Sequence, residues 1–182
     1  NAATFTAGSE NATAGNVVSV PITVAPSAGE TSTDVNAYAI AISYDSSVLT
    51  PVVKGTDEVG DNTYATVGDS FNSGVLTADL KDNETGNDEV LIGWAAASPV
   101  NVTEASTLAT VDFTVNANAT GSTDVKVAVA QVANSASALA DESTIEAVAG
   151  NVTVDTAKVV YGDADGNGKV ESADASLVAQ AA

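Results

Sequence analysis

The 182-residue sequence contains no Cys, no His, no Met and no Arg, and its eight aromatic residues include a single Trp. Each absence removes a piece of chemistry. Without Cys there is no disulfide framework, no thiolate and no direct redox clue. Without His or Cys, neither a Ser–His triad nor a Cys nucleophile can be assembled, and without Arg there is no bidentate phosphate clamp. A hydrolase built on two carboxylates survives this elimination, but the sequence offers no aromatic-lined cleft to go with it. The expectation is a protein that is not an enzyme. Lacking Met, the sequence reads as processed or excised, and Asn1-Ala2-Ala3 fits the residues that follow a small-residue signal cleavage site. No apolar run approaches membrane-spanning length.

Positive charge is nearly as scarce. Twenty-four acidic residues face five lysines, for a formal net charge of −19. Phosphate contacts depend on Lys and Arg, and this field repels polyanions, so nucleic acid and acidic substrates are excluded as partners. The acids read as a solvated, self-repelling surface. Five Asn-x-Thr sequons, at Asn11, Asn83, Asn101, Asn118 and Asn151, fit a secreted protein. The expected location is extracellular, at a prokaryotic cell surface.

What the sequence has in quantity is Ala, Val and Thr in short alternating runs. Val17–Val24 reads as a strand with Pro21 at an edge or bulge, since proline cannot donate to a ladder. In Val35–Tyr44 the larger Tyr38, Ile40, Ile42 and Tyr44 alternate with Ala37, Ala39, Ala41 and Ser43, which predicts the first set inside and the second outside. Asp45-Ser46-Ser47 reads as a turn before a strand at Val48–Val53. Further strands are predicted at Val75–Leu80, Val90–Ala97, Thr107–Val115, Val125–Ala133 and Val148–Val154, with Gly-, Asn- and Asp-rich turns between them. Leu108, Thr110, Asp112 and Thr114 are expected to form the polar outer face of their strand. Ser135–Ala147 reads as a short helix or an irregular loop. The predicted body, residues 1–155, is an all-β antiparallel sandwich with a core of small side chains.

Composition shifts at Thr156–Gly162, which opens a second unit, 156–182. Asp163-Ala164-Asp165-Gly166-Asn167-Gly168-Lys169-Val170-Glu171-Ser172-Ala173-Asp174 has the spacing of an EF-hand-type loop. Asp163, Asp165 and Asn167 take positions 1, 3 and 5. Gly168 supplies the left-handed turn, and Lys169 contributes its backbone carbonyl. Glu171 ligates directly or through water, and Asp174 closes the loop. A hard cation needing six to eight oxygens fits this set, so Ca²⁺ is the expected cofactor, followed by a short helix from Asp174 to about Ala181. Two other acidic groups, Asp57, Glu58 and Asp61, and Asp82, Glu84 and Asp88, read as solvated loop acids before they read as a second metal site or carboxylate pair. Trp94 and Tyr64 are candidates for sugar stacking, but a lone Trp within a strand is more often core.

The segment Gly162–Ala175 resembles the first half of a dockerin, the calcium-dependent module that plugs enzymes into cellulosome scaffolds. That resemblance implies a partner contact at loop positions 10 and 11, where Ser172 matches the usual hydroxyl and Ala173 does not. Dockerins normally carry two such repeats, and this sequence has one. The preceding residues resemble a cohesin, the dockerin-binding partner, through Gly15–Val24, Ala39–Leu49 and Thr107–Val115. The resemblance implies a nine-stranded jelly roll whose outward residues meet the partner. Here those positions fall on Ala37, Ala39 and Ala41, which predicts a flatter, less polar face than in many cohesins. The expected function is non-catalytic assembly, with a dockerin-like or cohesin-like partner or a second copy of the chain. Two alternatives remain open: a calcium-stabilised subunit of a surface layer or filament, and a carbohydrate-binding module binding polysaccharide.

Overall fold

A computed structural model describes residues 2–81 and 87–155. The calcium-loop residues Asp163, Asp165, Asn167, Lys169, Glu171 and Asp174, the contact residue Ser172, the helix after them, the sequon at Asn83 and the acids Asp82 and Glu84 lie outside the described residues.

Fifteen strand segments follow in order: β1 (Ala3–Ala7), β2 (Glu10–Thr13), β3 (Val17–Pro26), β4 (Thr33–Asp45), β5 (Leu49–Pro51), β6 (Gly55–Thr56), β7 (Asn62–Thr63), β8 (Thr66–Val67), β9 (Val75–Lys81), β10 (Asn87–Val102), β11 (Ser106–Val115), β12 (Gly121–Ser135), β13 (Ala138–Leu139), β14 (Ile145–Val148) and β15 (Gly150–Asp155). One sheet runs β14-β1-β3-β11-β5, with β8 sharing the edge of β11. The other runs β2-β15-β12-β4-β10-β9, with β13 alongside β12. The predicted all-β sandwich is therefore the observed architecture. Nine strand positions emerge when β1/β2 and β14/β15 are each counted as one split strand and β5 and β8 as one edge; β13 and the β6–β7 hairpin are additions.

The split strands tie the two layers together. β1 lies parallel to β14 in the first sheet, and β2 lies parallel to β15 in the second. The chain therefore crosses between sheets twice at one edge, at Gly8 and again just before Gly150. The crossing strands touch closely enough to demand glycine. A Cβ on Gly150 would sit 2.0 Å from the Gly8 carbonyl oxygen and 2.5 Å from that of Ala7. Pro21 is explained by the same crossing. Its carbonyl accepts from the Gly8 amide at 2.9 Å, so its missing N–H faces the point where β1 ends, and no ladder bond is lost.

The core is the overlap of the two inner faces. Phe5, Val20, Ile22, Val24, Val111 and Phe113 from one sheet meet Ile40, Ile42, Tyr44, Val90, Ile92 and Val125 from the other, all buried. Tyr44 and Phe113 make contact across the layers with ring centroids 5.0 Å apart. Trp94 belongs to this core and not to a sugar platform. It is 3% exposed, its indole N–H donates to the Phe71 carbonyl at 2.8 Å, and Tyr38 stacks on it.

Two expectations need correction. Leu108 is fully buried rather than outward, because a register shift between Thr107 and Ala109 inserts an extra residue and turns both Leu108 and Ala109 into the core. Ser135–Ala147 is neither a helix nor wholly irregular. It contains β13, a 3₁₀ turn at Glu142–Thr144 and the start of β14.

Candidate functional site

Alternation along β4 sends Tyr38, Ile40, Ile42 and Tyr44 into the core and leaves Ala37, Ala39 and Ala41 on the opposite, solvent side, each partly exposed. The three alanines are one column of a face four strands wide. Ala41 stands between Ala128 of β12 and Leu91 of β10, and Leu91 is followed by Asp79 of β9. Ala39 stands between Gln131 and Gly93, which is followed by Thr77. Ala37 stands between Ala133 and Ala95, which is followed by Val75. Two bulges set this pattern. An extra residue in β12 between Val129 and Gln131 switches the outward positions from Ala128 to Gln131. On β10 the register breaks between Ala95 and Val100, and the Asn36 amide donates to the Ala96 carbonyl at 2.8 Å to hold the break in place.

The face is flat and made of small residues, with Leu91 at 37% and Val75 at 74% exposure as its larger apolar contacts. Its charge sits at one end, in the row Lys126, Ser43, Glu89 and Lys81. Together with Asp79 this gives two positive and two negative side chains across these rows, and the next outward residues at the charged end, Asp45 and Asp124, are acidic. Beyond β9 it continues into an open groove of about 760 Å³ floored by Ala65, Val67 and Leu76 and lipped by Asp57 and Val59. Val75 and Thr77 line both.

Sequence reasoning picked out the β4 column. It missed Leu91, Gly93 and Ala95, the Ala128–Ala133 column and the groove. The Leu91/Gly93/Ala95 alternation is present in the sequence, but opposite Ile92 and Trp94 it reads only as the outer side of a strand. Facing columns become visible only when the register is known.

Several of the other acids build local structure. One Asp57 carboxylate oxygen accepts from the Val59 and Asp61 amides at 3.0 and 2.9 Å, closing the hairpin tip between β6 and β7. The Asp45 carboxylate accepts from the Ser47 amide and hydroxyl at 2.9 and 2.6 Å, and these bonds hold its pKa below the usual carboxylate range. Asp112 accepts from Lys54 and Ser19, each at 2.7 Å. Partial burial raises its pKa, but the Lys54 and Ser19 hydrogen bonds together with the Lys54 charge outweigh that effect and lower it. Among the described residues no group of three or more acidic side chains is placed to hold a metal. Among them, too, no helix is long and apolar enough to cross a membrane.

No protein-family model matches the chain, and no curated protein matches it. Solved structures do. A non-cellulosomal cohesin from the hyperthermophilic archaeon Archaeoglobus fulgidus is 13% identical with a TM-score of 0.55, over 86% of this chain and 93% of its own. The third ScaC cohesin from Acetivibrio cellulolyticus, solved with a ScaB dockerin, is 18% identical with a TM-score of 0.59, over 84% of this chain and 98% of its own. A type I cohesin–dockerin complex from Clostridium thermocellum matches at 15% identity and a TM-score of 0.60, over 85% of this chain and 100% of that one. Likeness at these identities is a likeness of fold, and the fold of the described residues is that of the cohesins.

Proposed function

We propose that this chain is a secreted, non-catalytic assembly module that holds a protein partner of the dockerin type on the small-residue face of β12, β4, β10 and β9. The observation that carries the reading is the composition of that face. Ala and Gly are poor strand formers, and Thr or Val at the same outward positions would make a better isolated sheet. Small residues give up that preference and leave a surface a second backbone can approach closely. Two of the similar cohesin structures contain a dockerin, which gives the partner its class. The loop from Asp163 to Asp174 is proposed to hold Ca²⁺. Its oxygen donors are Asp163, Asp165, Asn167, the Lys169 carbonyl, Glu171 and Asp174, a set suited to a hard cation. Bound calcium would neutralise these clustered carboxylates and fix the loop's path.

Calorimetric titration of the full chain with a panel of dockerins in calcium tests the partner. Saturable binding to at least one, weakened more than about tenfold by Ala39→Glu with little change in the melt, is the expected result. Equal binding by parent and Ala39→Glu sinks the assignment of the face. Failure to bind any dockerin, together with calcium-dependent growth in size, would move the reading to a self-associating structural subunit. The calcium site is tested separately by titrating parent and Asp163→Ala with calcium, where only the parent should bind one ion tightly.

A further inference from the structure

Five Asn-x-Thr triplets exceed the number that random placement of this composition gives. Fourteen Asn, 21 Thr and 17 Ser placed at random in 182 positions would give about two Asn-x-Thr and about one Asn-x-Ser. The chain has five of the first and none of the second.

Three of the four triplets within the described residues share a geometry. At Asn11, Asn101 and Asn151 the middle residue (Ala12, Val102 and Val152) is buried in the core, and the Asn and the Thr two residues on both reach the surface, by strand alternation at Asn11 and Asn151 and at the end of β10 for Asn101. Asn118 is exposed in the turn between β11 and β12, which is closed by the Ala119 amide donating to the Asn116 carbonyl at 3.0 Å. Hydrogen bonding then divides the four. The Asn101 amide donates to Asp34 at 2.8 Å and the Asn151 amide donates to Asp124 at 3.0 Å. Asn11 and Asn118 are exposed, and among the described residues their carboxamides have no hydrogen-bond partner.

We propose that Asn11 and Asn118 are acceptor sites for N-linked glycans. In the transfer, the carboxamide Nδ2 attacks C1 of a sugar carried on a lipid-linked phosphate or pyrophosphate. The new N–C1 bond forms as the C1–O bond to phosphate breaks, the lipid phosphate leaves, and the Nδ2 proton passes to a base of the transferase. The Thr hydroxyl two residues on is the recognition element, which is why both Asn and Thr must reach the same side of the chain. Neither site lies on β4, β9 or β10. Asn11 sits on edge strand β2, separated from the alanine columns by β15, and Asn118 sits in a loop. Sugars there would cover the polar flank of the molecule and leave the small-residue face bare. The assignment does not depend on that face binding anything.

Glycopeptide mass spectrometry of the chain recovered from the cells that naturally make it is the test, alongside variants produced in the same cells. Sugar mass is expected on the peptides containing Asn11 and Asn118. Thr13→Ala and Thr120→Ala should each abolish it at their own site, while Thr13→Ser and Thr120→Ser retain it. Bare Asn11 and Asn118 peptides from the natural chain, or sugar that survives Thr120→Ala, would overturn the proposal.

Discussion

The two sheets of this sandwich have nearly interchangeable interiors and very different exteriors. Inside, both are built mainly of Val, Ile and aromatic residues, in alternation broken only at the bulges. Outside, the β1-β3-β11 sheet carries Thr4 and Thr6, Ser19 and Thr23, and Thr110, Asp112 and Thr114 on its three central strands. These are side chains that favour strands and hydrate well, as an exposed sheet surface requires. The β12-β4-β10-β9 sheet carries Ala37, Ala39, Ala41, Gly93, Ala95, Ala128 and Ala133 in the same structural role. Burial demands the same thing of both interiors, so they converge. Nothing about the fold alone demands alanine on one exterior and threonine on the other. The partner face proposed above lies on the sheet that departs from what stability would choose.

The comparison breaks most visibly along β4, where inside and outside are adjacent residues. Ile40→Ala removes a side chain that is 3% exposed and leaves a cavity between the layers. It should cost about 2–4 kcal/mol in chemical denaturation, with the midpoint falling and the slope unchanged. A loss below about 1 kcal/mol would mean that the inner face of β4 is loosely packed, and the interiors would no longer be equivalent.

The outer face gives a smaller effect of opposite sign. Ala39→Thr installs on the second sheet the residue type of the first, and should change stability by no more than about 1 kcal/mol, towards greater stability. Partner binding should weaken in the same variant, because the added atoms stand where a second backbone approaches. A destabilisation beyond about 1 kcal/mol would show that Ala39 is already packed in the free chain and that small residues serve the fold. Stabilised and still fully binding, the variant would remove the functional reading of the face.

How much of this was legible beforehand follows from which interactions are local. β4 could be read from its sequence because large and small residues alternate over the eight positions Ala37–Tyr44, and each side chain's direction is set by its own strand. The Asp45–Ser47 turn was legible for the same reason, since its hydrogen bonds span two residues. β1 was overlooked although Ala3-Thr4-Phe5-Thr6-Ala7 alternates, because one Phe among small residues makes a faint pattern. Leu108 was misplaced because a bulge is a property of two strands, and the partner strand β3 lies more than 80 positions away in the sequence. The candidate face suffers the same limit in stronger form. Its columns come from β12, β4, β10 and β9, and only register, a long-range quantity, sets Ala39 beside Gly93 and Gln131.

The smallest expected effect lies on the threonine sheet, where Asp112 joins Ser19 and Lys54. Its side chain is 17% exposed and that of Lys54 is 32%, so the pair is partly screened and contributes about 0.5 kcal/mol. The direction of its pH dependence follows from the folded-state pKa being lowered. An Asp of this kind binds its proton more weakly in the folded chain than in the unfolded one. Its stabilisation is therefore complete above the unfolded value near 3.9 and disappears as the pH falls through the lower folded value. Asp112→Asn should leave stability within about 0.5 kcal/mol of the parent at neutral pH. The gap should close at the bottom of the acid limb, where the parent has lost the ion pair as well. Melting both chains from neutral pH down through the carboxylate range checks this, at low salt to limit screening. Curves that stay parallel all the way down would show that the Lys54–Asp112 pair adds nothing to this exterior, leaving its threonines as the whole of its difference from the alanine sheet.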